Sequence, residues 1–274
     1  MPTEASVAEL QTYIAGYCTH PACMALRGAG LRICRFPARA WLIRTRQRQW
    51  IWDTGYASHF HTQTRRGLIS LYRRVTPVHF DEEEALVRQL RADGVTPGEL
   101  DGILLSHFHG DHIAGLRDFP GVPIYCSGTG WTATRPLRGW AALRQAYVPG
   151  LIPEDFETRM RAVEQLPAVR LPAALQPFEQ GWTLPGAEDE VFIVALPGHA
   201  AGHLGAFVQT SGGWTLLASD AAWAPASYRD GTPPSRLAHL VLHDVPAYYD
   251  TLRRLGKLHH GGQVRILLSH EGDI

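Results

Sequence analysis

The sequence predicts an α+β fold in which two β-sheets pack face to face with helices on the outside. Three observations predict it. Strands and helices alternate through residues 31–126, a second strand-rich run with its own helix fills residues 181–269, and four of the apolar strands end on side chains of metal-ligand type. In order, residues 31–36, 40–45 and 49–52 read as strands, the last ending at the turn Asp53-Thr54-Gly55. Residues 81–92 are Glu-rich at the start and apolar at Ala85, Leu86 and Leu90, which predicts a helix with Asp81 as N-cap, closed by Asp93-Gly94. Residues 102–106 form a short buried strand, residues 113–118 a helix and residues 122–126 another strand. Residues 128–180 are rich in Arg, Pro, Ala and Trp with weak periodicity, and are expected to be a helical and loop insertion over the mouth of the site. Strands at 181–184, 190–195, 204–210 and 214–218, a helix over 246–258 and a strand at 264–269 complete the second half. Residues 1–274 are expected to form one domain.

Composition narrows the function classes. The chain is 45% hydrophobic and 19% charged with 26 basic and 26 acidic residues, an ordinary globular balance that argues against a phosphate-backbone partner. The basic clusters around Arg44, Arg46 and Arg48 and at Arg73-Arg74 are short and read as solvated strand ends. The start, Met1-Pro2-Thr3-Glu4-Ala5-Ser6, lacks the basic and apolar regions of a signal peptide, and no apolar stretch approaches the roughly 18 residues that span a bilayer. Cys18, Cys23, Cys34 and Cys126 form no C-x-x-C pair and are expected to be reduced thiols. The expectation is a cytoplasmic protein with a small-molecule partner, no nucleic acid and no membrane.

The chemistry is concentrated in Ser106-His107-Phe108-His109-Gly110-Asp111-His112, where an apolar run breaks into four potential ligands within six positions. Imidazole and carboxylate are the groups that zinc and similar divalent ions accept at neutral pH. The same arrangement recurs three times: one strand runs into Pro197-Gly198-His199, another into Ser219-Asp220 and the last into Ser269-His270. Such an inventory suits two divalent ions, each with three protein ligands, plus a bridging carboxylate and a bridging hydroxide. Zinc suits the donors best; iron, manganese or cobalt fits the same set. Asp111 and Asp220 are expected to orient the nucleophile and shuttle its proton. Asp53 reads as a residue that orients a ligand histidine, and His203 as a supporting residue of the same kind.

In these motifs the chain resembles the metallo-β-lactamase superfamily of αββα hydrolases. His107-x-His109-x-Asp111-His112, His199, Asp220 and His270 match in order, Asp53-Thr54-Gly55 is similar to the family's early turn, and the likeness spans about residues 31–270. The resemblance implies a four-layer αββα sandwich. It implies that His107, His109 and His199 bind one metal, that Asp111, His112 and His270 bind the other, and that Asp220 bridges them. His109 and Asp220 are similar to the dinuclear esterase, lactonase and phosphodiesterase branches. The layout Pro197-Gly198-His199-x-x-Gly202-His203 is most like the quorum-quenching acyl-homoserine lactone lactonases, and is also similar to hydroxyacylglutathione hydrolases. One position departs: Trp223 stands where those lactonases carry a tyrosine, and Tyr228 replaces it only if its loop folds back.

The expected function is therefore dinuclear metal-dependent hydrolysis of an ester, lactone or thioester bond by a metal-bridging hydroxide. Phosphodiester or phosphotriester hydrolysis is the alternative, to be recognised by Arg73, Arg74 or Arg229 turned toward the metals. A third reading is a catalytically inactive metal-binding sensor of a small effector. The segments around Tyr17, Cys18 and His20 and around Tyr72 and His79 either line a substrate pocket or pack as an N-terminal extension. Trp131, Trp140, Trp182 and Trp223 favour an apolar substrate, and tryptophans exposed in the insertion are natural contacts for a homodimer.

Overall fold

The computed structural model describes residues 7–271, so the start inspected for a leader lies outside the described residues. Thirteen strands among the described residues form two sheets. In chain order they are β1 (Glu9–Pro21), β2 (Ile33–Arg44), β3 (Gln49–Trp52), β4 (Val78–His79), β5 (Gly102–Leu104), β6 (Ile124–Cys126), β7 (Met160–Ala162), β8 (Ala168–Arg170), β9 (Gln180–Thr183), β10 (Val191–Ala195), β11 (Leu204–Thr210), β12 (Gly213–Ser219) and β13 (Val264–Leu268). The first sheet has the order β4-β1-β2-β3-β5-β6-β7 and the second β13-β12-β11-β10-β9-β8.

Four layers follow from the two-residue period of each strand. In β2, Ala40 and Leu42 face the helices while Trp41 and Ile43 face the opposite sheet; β3 divides Ile51 from Trp50 and Trp52 in the same way. The second sheet mirrors this: Val191, Ile193, Leu204, Ala206 and Leu217 fill the space between sheets, whereas Phe192, Val194, Phe207, Leu216 and Ala218 pack under the helix Val245–His260. Three apolar cores thus separate helices, sheet, sheet and helices. Trp41, Trp50 and Trp52 are all buried in the middle core, and a core tryptophan of this kind is worth about 3–5 kcal/mol against truncation. The Trp52 indole N–H also donates across the core to Ser219 Oγ at 2.8 Å, tying the end of β3 to the end of β12.

Several elements differ from expectation. The strands expected at 31–36 and 40–45 are one strand, β2, which runs through Pro37. Proline is tolerated there because Pro37 pairs with Tyr17 beside an irregularity in β1, and β3 joins β2 only from Trp41 onward. The helix expected over 81–92 divides at Ala85 into a 3-10 turn, Glu82–Glu84, and a helix, Leu86–Ala92. Its cap is as expected: Asp81 accepts from the Glu83 N–H at 3.0 Å, and Glu84 accepts from the Asp81 N–H at 3.0 Å. Residues 128–180 hold short helices, but also β7 and β8, the edge strands of the two sheets. Most of the segment lies away from the site: Trp131 packs on Phe108 and Phe156, and Trp140 is 68% exposed. No helix among the described residues is long and apolar enough to cross a membrane, and no disulfide joins Cys18, Cys23, Cys34 and Cys126.

Candidate metal centre

The strand ends deliver the side chains. β5 stops at Leu104, and the chain turns through Ser106 and His107 into a one-turn helix, Gly110–Ile113, that carries Asp111 and His112. β10 leads to His199, β12 to Asp220 and β13 to His270. Two groups result. His107, His109, His199 and Asp220 have ligand atoms within 4.8 Å of one another, as do Asp111, His112 and His270, and all seven residues are buried. His199 Nε2 lies 3.2 Å from His107 Nε2 and 3.0 Å from His109 Nδ1. Asp220 stands between the groups, with Oδ2 at 3.2 Å from His199 Nε2 and 3.2 Å from His270 Nε2, and Oδ1 at 3.6 Å from His112 Nε2.

The donor chemistry fits a pair of divalent cations. His112 Nδ1 donates to Asp53 Oδ2 at 2.8 Å and His270 Nδ1 donates to the Pro37 carbonyl at 2.8 Å, so each ring turns Nε2 inward. His112 Nε2 and Asp220 Oδ1 are buried with no hydrogen-bond partner among the described residues, a costly arrangement unless something else satisfies them. Burial holds His107 and His109 well below the ordinary imidazole range, reinforced by the neighbouring rings, which leaves them neutral as a ligand requires. Burial also disfavours charge on His112 and His270, but the carboxylates outweigh it: Asp53, Asp111 and Asp220 raise His112, and Asp220 with Asp111 raises His270. Burial opposes ionisation of Asp111 and Asp220, and the nearby imidazoles override it and hold both carboxyls down. A cation arriving here takes the place of the inward protons.

The supporting contacts are dense. Asp53 is fully buried at the end of β3; its Oδ1 accepts from the Ser106 N–H at 2.8 Å, and its Oδ2 accepts from Ser106 Oγ at 2.8 Å, His112 at 2.8 Å and Ser219 Oγ at 3.3 Å. Since the Ser106 hydroxyl donates to Asp53, it accepts from His107 Nδ1 at 2.9 Å, which turns His107 Nε2 inward as well. Asp53 and Ser219 both have positive φ, 58° and 45°, so backbone strain is stored beside the ligands. His203 donates from Nδ1 to the Leu196 carbonyl at 3.1 Å and accepts the Asp220 N–H on Nε2 at 3.3 Å. Burial and the adjacent His199 push its pKa down to about 3, so it serves as a neutral brace for the Asp220 loop. Gly198 has φ +124°, and a β-carbon there would run into the Tyr248 backbone of the long helix. Arg39, which the sequence did not single out, holds the last turn by donating to the carbonyls of Leu268 at 3.2 Å and Glu271 at 2.9 Å.

A cavity of about 390 Å³ opens onto the centre, lined by His109, Asp111, His199, Asp220 and His270 on its floor and by apolar and aromatic side chains on its walls. Among the other residues singled out in the sequence, Trp223 lines it and donates from Nε1 to Asp220 Oδ2 at 3.4 Å. Tyr17 and His79 do not line it. On a strand, neighbours face opposite sides: Cys18 turns to the cavity, while Tyr17 stacks on His79 at 4.7 Å along the β1–β4 pair, under Arg35. Tyr228 does not fold back; it packs in the core under the long helix, its ring edge-on to His259. Trp131, Trp140 and Trp182 are also outside the lining. His20, whose segment had two readings, pocket lining or packed extension, does line the cavity, with Nε2 3.1 Å from Thr76 Oγ1. Tyr56, Phe36 and Met24 were not singled out. Period-two alternation in residues 9–21 could have revealed Cys18 and His20, but Ala15 and Gly16 blur it.

Comparison with known proteins shows the family and the fold. The family model for the metallo-β-lactamase superfamily matches residues 35–261. The chain is 24% identical over 225 residues to a probable metallo-hydrolase of Mycobacterium tuberculosis, covering 76% of this chain and 66% of that protein. It is 25% identical over 206 residues to an N-acyl homoserine lactonase of Bacillus thuringiensis, covering 74% and 70%. Among solved structures, an N-acyl homoserine lactone hydrolase with N-hexanoyl-L-homoserine bound at its catalytic metal centre superposes with a TM-score of 0.73 at 20% identity, over 98% of this chain and 94% of that one. AidC, a dizinc quorum-quenching lactonase, gives 0.66 at 13% identity over 98% and 89%. At these identities the structural likeness speaks for the fold.

Proposed function

The chain belongs to the metallo-β-lactamase superfamily of hydrolases, and from that premise we propose that it uses two divalent cations to cleave an ester, lactone or thioester bond in a small, largely uncharged molecule. Zinc is the metal we assign, on the imidazole-rich donor set. One observation carries the choice of substrate class: the cavity above the ligand cluster has apolar and aromatic walls, and among the described residues no arginine or lysine lines it. Arg73, Arg74 and Arg229, whose approach would favour a phosphodiester, are absent from the lining. A neutral carbonyl compound suits such walls, because an anionic phosphodiester would be desolvated there without a countercharge from the protein.

When bound, a pair of divalent cations lowers the pKa of an intervening water from ~15.7 toward ~7 and polarises the scissile carbonyl. The chain's own groups do the rest. His107, His109 and His199 on one side and Asp111, His112 and His270 on the other would hold the ions, and Asp53 and Ser106 fix the rings of His112 and His107. Asp220 reaches both sides, so its carboxylate is placed to orient the attacking water and to carry its proton toward the leaving oxygen or sulfur. Asp111, at 3.0 Å from His270 Nε2, supports the same transfer. The apolar walls exclude bulk water and strengthen each of these interactions.

A substrate panel tests this reading. The zinc-loaded protein is expected to turn over aryl esters, lactones or thioesters and to leave bis(p-nitrophenyl) phosphate and paraoxon essentially untouched. Turnover of the phosphodiester or phosphotriester alone would reverse the assignment. A protein loaded with two metals that hydrolyses nothing and only binds small carbonyl compounds would favour an effector sensor instead.

A further inference from the structure

We propose that Tyr72 is a catalytic residue of this site: its phenol O–H donates a hydrogen bond to the substrate carbonyl oxygen and to the oxyanion that forms from it. The inference rests on the carbonyl-hydrolase reading above and adds the residue that would recognise the carbonyl.

It follows from a survey of the donors facing the cavity. Thr76 Oγ1 is engaged with His20, and the Trp223 N–H with Asp220. The Tyr56 hydroxyl is sealed from solvent and lies against the Cys18 thiol. The Cys18 thiol is buried and a weak donor. His109, Asp111, His199, Asp220 and His270 belong to the ligand cluster. That leaves Tyr72. Its side chain lines the cavity, no hydrogen bond to any described residue engages its hydroxyl, and that oxygen is not among the sealed, unpartnered atoms. Its O–H is thus open to the cavity and unengaged, whereas the other polar groups of the wall are shared with a neighbour or sealed.

The phenol is also held in place. Tyr72 opens the short helix Tyr72–Val75, its ring lies edge-on to Phe60 at 5.3 Å, and Phe60 lies edge-on to Tyr56 at 5.1 Å. Such a stack restricts the ring and aims the hydroxyl without further cost at the moment of reaction. Burial and the charge of Asp111 keep the hydroxyl protonated far above neutral pH, so it remains a donor throughout any working range. Charge develops on the carbonyl oxygen during attack, and a fixed donor among apolar walls stabilises that state more than the bound substrate.

Tyr72→Phe, compared with wild type in the zinc-loaded full chain, tests the assignment. The expected loss is about 10²-fold in kcat on the best ester or lactone, with KM, metal content and Tm close to wild type, because the removed hydroxyl has no partner in the fold. A second readout is the infrared carbonyl band of bound N-butylhexanamide, an unreactive carbonyl probe, which should move to higher frequency when the phenol donor is removed. A kcat within about twofold of wild type, an unmoved band, or a loss of kcat that merely follows a lower Tm would overturn the role of Tyr72. Absence of ester, lactone and thioester turnover in wild type itself would remove the underlying reading as well, and the two failures are thereby told apart.

Discussion

Asp220→Ala is expected to lower kcat/KM by about 10³-fold on every substrate the protein hydrolyses, a loss typical of removing a positioned acid–base group. Asp220 is the described carboxylate within 4.0 Å of rings from both ligand groups: His199 and His107 on one side, His270 and His112 on the other. Its removal therefore withdraws the one group that links the two sides and the proton acceptor nearest their junction. Metal content should fall below two per chain. The loop itself should survive, because the Asp220 N–H bonded to His203 is unaffected by the side chain and Ser219 keeps its bond from Trp52. Steady-state kinetics with metal analysis and a melting curve check all three parts. Retention of more than about a tenth of wild-type kcat/KM with two metals bound would show that Asp220 has no such place.

Asp53→Asn should weaken metal binding by about 10–100-fold, the usual effect of losing a carboxylate that orients a ligand histidine. Asparagine tolerates the positive φ of 58° at this position, so the backbone is spared and the change isolates the carboxylate. Four donors converge on it from three residues, Ser106, His112 and Ser219, and an amide oxygen with an adjacent NH₂ cannot accept from all of them. A buried group left unpaired costs about 1–3 kcal/mol, so the melting temperature should drop too. Part of that loss concerns the metal-free protein at neutral pH. The folded-state pKa of His112 is raised, so its paired, charged form contributes stability that is complete below the ordinary imidazole range and fades as pH rises through the raised value. Without the Asp53 charge this contribution shrinks on the acidic side. Competition against a fluorescent zinc chelator, with calorimetry at several pH values, gives both numbers; unchanged affinity and Tm would remove Asp53 from the centre.

The seven residues of the two candidate metal groups were legible because they follow apolar strands in the chain. His107 to His112, His199, Asp220 and His270 carry their pattern locally, and two strand-rich halves, each with a covering helix, already implied two sheets packed face to face. The cavity was much less legible. Cys18, His20, Tyr56 and Tyr72 reach the same space from separate segments, and nothing in the spacing of 18, 56 and 72 says that they meet. Tyr17 shows the limit from the other side: it has the chemistry of a pocket residue, but the pleat of β1 puts it on the far face, against His79. Edge strands of three residues, β7 and β8, were missed because pairing within a sheet, rather than local propensity, makes them. Arg39 escaped notice for a similar reason, since its partners lie 229 and 232 positions away in sequence.

Seven side chains holding two cations are the centre of the proposed chemistry, and counting and locating those ions in crystals of the zinc-loaded protein by anomalous diffraction at the zinc edge is the most direct test. Two zinc peaks per chain are expected, one among His107, His109 and His199, the other among Asp111, His112 and His270, with Asp220 touching both. A single peak, or peaks seated away from these residues, would contradict that chemistry.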